Sequence, residues 1–324
     1  MVLQSSVSEP EEELHTNHIG GTPLMVAITE GKIDALRSLL SNPEIARDVT
    51  YINQKEFKSG LTALHYACLA DRADMIHMLL DFCSSSIDVI ALNYEGQSAV
   101  HVAAMTGRTK ALDALLERIT DYPVIKHIWN EKDILGHTPL YSCAMMGHLD
   151  CMRRLMGIEG VDPNYCNEKG FNMMHACCVY NREECLKLVL RHPDADINLK
   201  TKDSNACTPL MIACANGSID TVKELLLLKS LDLNAQNCEG NTAFHLAAYL
   251  GKFAILELLI KAHARFNIAL RNKDGKMFME YCLKENVQRL IEVLKKFPNL
   301  FNVKVNVKEP QKVDKPPVDY SRFE

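Results

Sequence analysis

Four histidines, His65, His101, His175 and His245, and twelve cysteines are the side chains of this 324-residue chain best suited to chemistry. A zinc site draws its four ligands from paired, closely spaced sets. His175 with Cys177 and Cys178 is the one dense group, no second pair accompanies it, and no C-x-x-C occurs. We therefore expect no metal and no cofactor. A Cys-His catalytic pair is distant in sequence, so spacing alone does not exclude one. Yet Cys68, Cys143, Cys177 and Cys214 fall in helical patterns where alanine would also fit, as small buried hydrophobes do. The chain has no phosphate-cradling Gly-rich loop, nucleophile elbow or H-E-x-x-H. No catalytic residues are assigned, and no enzyme is expected.

The four histidines share one register of a repeated phrase, which sets the elements that position them. Its copies begin near residues 20, 60, 96, 136, 170, 206, 240 and 275, from Gly20-Gly21-Thr22-Pro23-Leu24 and Gly60-Leu61-Thr62-Ala63-Leu64-His65 to the degenerate Gly275-Lys276-Met277-Phe278-Met279. Glycine permits a tight turn of positive φ, and Thr or Ser caps a helix by accepting an orphan N–H. Pro fits the first helical position, where its missing donor is not needed. Small residues such as Ala67, Ala103-Ala104 and Ala247-Ala248 let neighbouring helices approach closely. A second apolar stripe follows, as in Ile76-Leu79-Leu80 and Ile255-Leu258-Leu259, spaced by three and four. Between units runs Asp-φ-Asn, as in Asp196-Ile197-Asn198 and Asp232-Leu233-Asn234. Each unit reads as a helical hairpin followed by an extended finger.

This combination, over about residues 19–297, resembles the ankyrin repeat, with its Gly-x-Thr-Pro-Leu-His-x-Ala, Leu-Leu and Asp-Val-Asn pattern. The fold class expected is all-α, a solenoid of about eight helix-turn-helix repeats with short β-hairpin-like finger loops. Residues 1–18 read as an acidic, disordered leader, 19–301 as the repeat domain and 302–324 as a Lys/Pro-rich disordered tail. The repeats are stretched at Ser41 to Lys58 and at Glu117 to Lys132, which we expect to be longer loops or fingers. The last repeat, with Met277 in place of Thr and a strongly charged second helix, reads as a polar C-terminal cap.

The resemblance implies a protein-binding scaffold or adaptor that uses finger tips and the concave ends of the first helices. On those positions the central repeats are apolar: Met105, Met145, Met146, Val179 and Tyr180 precede the inter-helix turn, and Tyr94, Ile134, Leu135, His137 and Phe171 flank the finger glycines. These ten are the expected partner-binding residues. Packing against neighbouring repeats is the alternative reading of the same side chains. A second functional class is an inhibitory subunit of a transcription factor or a channel-associated assembly. Asn198 and Asn234, each eight residues after a leucine, resemble the asparagines hydroxylated in ankyrin proteins, with a hydrogen-bonding turn role as the alternative. The histidines are expected to bond a neighbouring hairpin's backbone, as the family uses them.

A net charge of -5 without a concentrated basic patch argues against nucleic acid as a partner. No apolar run, Leu225 to Leu228 included, approaches the length needed to span a bilayer. No secretory leader is recognised. We expect one or more protein partners, no membrane insertion, a monomer when alone, and a cytoplasmic or nuclear location.

Overall fold

A computed structural model describes residues 21–119, 128–262, 266–298 and 300. The expected leader and tail lie outside the described residues. Among these the fold is all-α: no strand forms, and one isolated antiparallel bridge joins Arg271 and Met277. The chain divides into two compact units, one holding the residues up to Cys143 with Asp150–Val161, the other Ala144–Leu149 with the residues from Asp162 onward.

In the first unit the hairpins pair α1 (Pro23–Thr29) with α2 (Ile33–Leu40), α5 (Ala63–Leu69) with α6 (Ala73–Phe82), and α7 (Ala99–Thr106) with α8 (Thr109–Ile119). The residues of the next pair, α9 (Pro139–Met146) and α10 (Leu149–Met156), are divided between the units. The second unit pairs α11 (Met173–Val179) with α12 (Glu183–Val189), α13 (Pro209–Asn216) with α14 (Ile219–Leu226), and α15 (Ala243–Tyr249) with α16 (Phe253–Lys261).

The capping residues act as their chemistry dictates. Thr22, Thr138 and Thr208 accept from the amides of Met25, Tyr141 and Met211 at 3.4, 3.2 and 3.4 Å, each with Pro at the first helical position. First helices pack through Ala67, Ala103, Ala104, Ala213, Ala247 and Ala248, and second helices through Ile76, Leu79, Leu112, Leu115, Leu225 and Leu259, all fully or almost fully buried. Each such leucine contributes about 2 kcal/mol of transfer free energy.

Two expectations are corrected. The stretch from Ser41 to Lys58 is not simply a loop: it folds into α3 (Pro43–Arg47) and α4 (Val49–Ile52), because Asn42 and Asp48 cap these turns and Ala46 and Ile52 are buried. Most of the second stretch lies outside the described residues; its end, Ile128–Asn130, is a 3-10 turn. The final repeat also lacks a first α-helix. Met277 offers no capping oxygen, and its amide donates instead to the Glu280 carboxylate at 2.9 Å. Turns and a 3-10 segment at Lys284–Asn286 then lead to α17 (Val287–Lys295). Among the described residues seven complete hairpins and one half-formed repeat thus make up the roughly eight repeats expected.

Candidate protein-docking surface

The fingers are tight turns organised by a carboxylate or amide that the sequence reading passed over. Asn93 Oδ1 accepts from the amides of Glu95 and Gln97, and Asp133 Oδ1 from those of Leu135 and His137, all at 2.8 to 2.9 Å. Asn237 and Asn272 do the same in the second unit. In the Glu56 finger the carboxylate accepts from the amides of Lys58 and Ser59 and from Ser59 Oγ. Burial pushes the Glu56 carboxyl up, but these hydrogen bonds outweigh it and hold it below its ordinary value.

Successive fingers of the first unit are bonded backbone to backbone, Tyr94 N to Ser59 O at 2.9 Å and Ile134 N to Glu95 O at 3.0 Å. Glycine is required where they meet. Gly60 has φ +74°, and a Cβ there would lie 2.6 Å from Tyr94 Cδ1 and 2.8 Å from its amide nitrogen.

Within each finger, exposure depends on the side of the glycine. Residues between the turn-organising side chain and the glycine face solvent: Phe57 is 69% exposed, Tyr94 57%, Ile134 70% and Leu135 67%. The residue after the glycine turns inward. Gln97 is buried; His137 stacks on Tyr141 with centroids 4.3 Å apart and lies 3.7 Å from the Asp133 carboxylate. Phe171 is 4% exposed and packs edge-on against His175, with centroids 5.5 Å apart. Phe171 is therefore corrected from a docking anchor to a core residue, and the His137 ring is largely committed to its own repeat.

Three consecutive fingers of the first unit thus present an apolar row, Phe57, Tyr94 and Ile134-Leu135. Ile90 and Leu92, also exposed, lie just before the Tyr94 turn. Phe57, Ile90 and Leu92 were missed, Phe57 because its neighbours Lys58 and Ser59 made that finger read as polar. The corresponding tips in the second unit carry Glu168-Lys169, Lys202, Glu239 and Lys273-Asp274, all exposed except Cys238 beside Glu239, which is half-buried.

Of the helix-end residues, Met105 in the first unit is half-buried, with Sδ accepting from Gln97 Nε2 at 3.7 Å. In the second unit Met146 is 44% exposed, while Met145, Val179 and Tyr180 are half-buried. Arg182 lies against Gly147 and donates from Nε to the Met145 carbonyl at 3.1 Å.

The histidines hold repeats together. His65, His101 and His245 approach the carbonyls of Gln97, His137 and Lys276 through Nε2 at 3.0 to 3.2 Å, and His175 approaches that of Leu199 at 3.1 Å. Burial pushes the His65 and His175 imidazoles down to about 4. The inter-repeat asparagines serve a parallel role. Asn198 donates to Ser230 O at 3.0 Å and accepts from Asp232 N at 2.8 Å, and Asn234 accepts from Asn267 N at 2.7 Å. Among the described residues no group of three or more His, Cys, Asp or Glu is placed to hold a metal ion, and no helix is long and apolar enough to cross a membrane.

A family profile described as Ankyrin repeats (3 copies) matches residues 24–126, 120–201, 194–272 and 210–307. Mouse (Mus musculus) inversin is 27% identical over 257 residues, covering 77% of this chain and 22% of inversin. The mouse B-cell lymphoma 3 protein homolog is 29% identical over 217 residues, covering 66% of this chain and 44% of that protein. The target of rapamycin complex 2 subunit AVO2 of Saccharomyces cerevisiae is 24% identical over 191 residues, covering 59% of this chain and 42% of AVO2. The chain thus spans about a fifth of inversin's length. Among solved structures, the human ASB11 ankyrin repeat domain superposes with a TM-score of 0.58 at 23% identity, covering 72% of this chain and 98% of that one.

Proposed function

Because the chain belongs to the ankyrin-repeat family, we propose that this protein-protein interaction module is a non-enzymatic scaffold or adaptor, docking a protein on the finger tips of its first unit. The observation that carries this reading is the row Phe57, Tyr94, Ile134 and Leu135, exposed on three consecutive fingers whose backbones are bonded to one another. Clustered exposed apolar side chains mark interaction surfaces, and aromatic residues are frequent anchors of binding energy. Rigid presentation lowers the entropy lost on docking. Met145, Met146, Val179 and Tyr180 form a second, separate candidate surface on the other unit. AVO2 is by name a subunit of a complex. We place the protein in a reducing compartment, the cytosol or nucleus, where its twelve thiols persist.

The test is crosslinking in cell extract followed by mass spectrometry, comparing the wild type with F57S/Y94S/I134S/L135S and with M145S/M146S/Y180S. Loss of a defined partner set in the first variant, at unchanged circular dichroism and melting temperature, is the expected result. Full retention of that set would reject the finger surface, and loss in the second variant alone would move the site to the helix ends.

A further inference from the structure

A finger places two side chains across its turn, the one that organises the turn and the one that follows the glycine. In the finger of Asn93 and Gln97 these two satisfy each other. Asn93 Oδ1 accepts from the amides of Glu95 and Gln97, which leaves Nδ2 to donate, and Gln97 Oε1 accepts from it at 3.1 Å.

The finger of Asn237 and Asn241 has the same backbone pattern. Asn237 N donates to Asn241 O at 2.9 Å, and Asn241 N donates to Asn237 Oδ1 at 2.8 Å. Its second side chain is one methylene shorter than Gln97, and the oxygen of that side chain is taken from elsewhere. Asn272 Nδ2, in the following finger, donates to Asn241 Oδ1 at 2.9 Å. Asn237 Nδ2 and Asn241 Nδ2 are thus both buried donors with no acceptor in the chain, on residues 6% and 0% exposed.

Turning an amide over relieves neither donor. Asn237 Oδ1 holds the amides of Glu239 and Asn241, and Asn272 Oδ1 holds those of Asp274 and Lys276. Backbone donors therefore fix which end of Asn237 and of Asn272 is oxygen, and Asn272 in turn fixes Asn241. A buried donor without an acceptor forfeits its hydration, and native structures seldom tolerate one.

We propose that the Asn237–Asn241 finger is a binding site for one water molecule, which accepts a hydrogen bond from each Nδ2. A water oxygen has two lone pairs for two donors, and buried waters characteristically serve polar groups that the chain leaves unsatisfied. A cation is excluded because both groups donate. An anion is disfavoured because both donors are neutral, a buried charge needs an opposite one, and the same turn carries Glu239. The water does in this finger what the Gln97 amide oxygen does in the other, and so leaves Asn241 Oδ1 to hold the finger of the half-formed last repeat through Asn272. With both residues buried, it leaves only when the finger opens, and exchanges with bulk solvent more slowly than the molecule tumbles.

Oxygen-17 relaxation dispersion of the solvent signal counts such long-lived waters on the full chain. Two variants copy arrangements already present in the protein. N241Q introduces the side chain of Gln97, whose oxygen reaches the organising asparagine. N237D introduces the organiser of the Asp133 finger, where a carboxylate holds the same two backbone amides, and its second oxygen accepts directly from Asn241 Nδ2. Each variant is expected to keep the circular dichroism of the wild type and to lower the count by one water per chain. A crystal structure of the wild type is expected to show a solvent peak within hydrogen-bond distance of both Nδ2 atoms. An unchanged count in either folded variant, or well-ordered wild-type amides that share no solvent peak, would overturn the assignment. If one variant does not fold, the other and the wild-type density decide.

Discussion

His65 Nε2 stands 3.0 Å from the carbonyl oxygen of Gln97, 32 residues further along the chain. The amide of Thr62 donates to His65 Nδ1 at 3.2 Å, so Nδ1 is the acceptor, the ring proton sits on Nε2, and Nε2 donates to Gln97. One imidazole thereby joins a helix N-terminus to the finger of the following repeat. His65→Leu leaves a buried carbonyl and a buried amide without this partner, a loss of about 2 to 3 kcal/mol. Urea unfolding of the variant at pH 7.5 measures it; a cost below the scatter of surface substitutions would show that the bridge contributes nothing net.

The same bridge makes stability depend on pH. With folded values near 4 against an ordinary 6.5, His65 and His175 bind fewer protons folded than unfolded between those limits. Their contribution is full above pH 6.5, declines as pH falls through the window, and is flat below about 4. Each is worth up to about 3 kcal/mol across that range. The urea midpoint is expected to fall from pH 7 to 4.5, and less steeply in His175→Gln than in the wild type.

Gly60 and Gly160 both have positive φ, +74° and +86°, but a Cβ at Gly160 would have no neighbour within 4 Å. Gly160→Ala therefore carries only the conformational cost, about 1 kcal/mol. Gly60→Ala adds overlap with Tyr94 and is expected to cost about 3 kcal/mol. Equal thermal shifts for the two would mean that the Tyr94 finger moves aside freely.

Asn198 bridges two backbone groups of the next repeat, Ser230 O and Asp232 N. Asn198→Ala removes both bonds at a half-buried site and is expected to cost about 1 to 2 kcal/mol. Amide hydrogen exchange at Asp232, faster in the variant, locates the loss.

The repeat phrase located the first helices closely, since Pro23, Pro139 and Pro209 all stand at a helix start. It also placed the histidines, whose bonds to neighbouring backbone follow from their shared register. Other features depended on contacts made at a distance. Phe171 and Tyr94 both flank a finger glycine, yet one is buried and the other exposed because they lie on opposite sides of the turn. That distinction becomes legible once the Asn, Asp or Glu that organises each turn is recognised. The helices in the first insertion were hidden because Asn42-Pro43 and Asp48, good caps, read equally well as loop residues. Met277 was legible as a departure from Thr, but not as the loss of a whole helix.

Each described histidine bridge runs the same way, from one repeat's helix start to the backbone of the repeat that follows. The array therefore has a grain. Shortening it after His245, by cutting away the segment that holds Lys276, leaves an imidazole N–H donor without its carbonyl. Shortening it before Gln97 leaves only a carbonyl newly open to solvent. The two cut ends therefore differ in chemistry, a donor at the C-terminal cut and an acceptor at the N-terminal one.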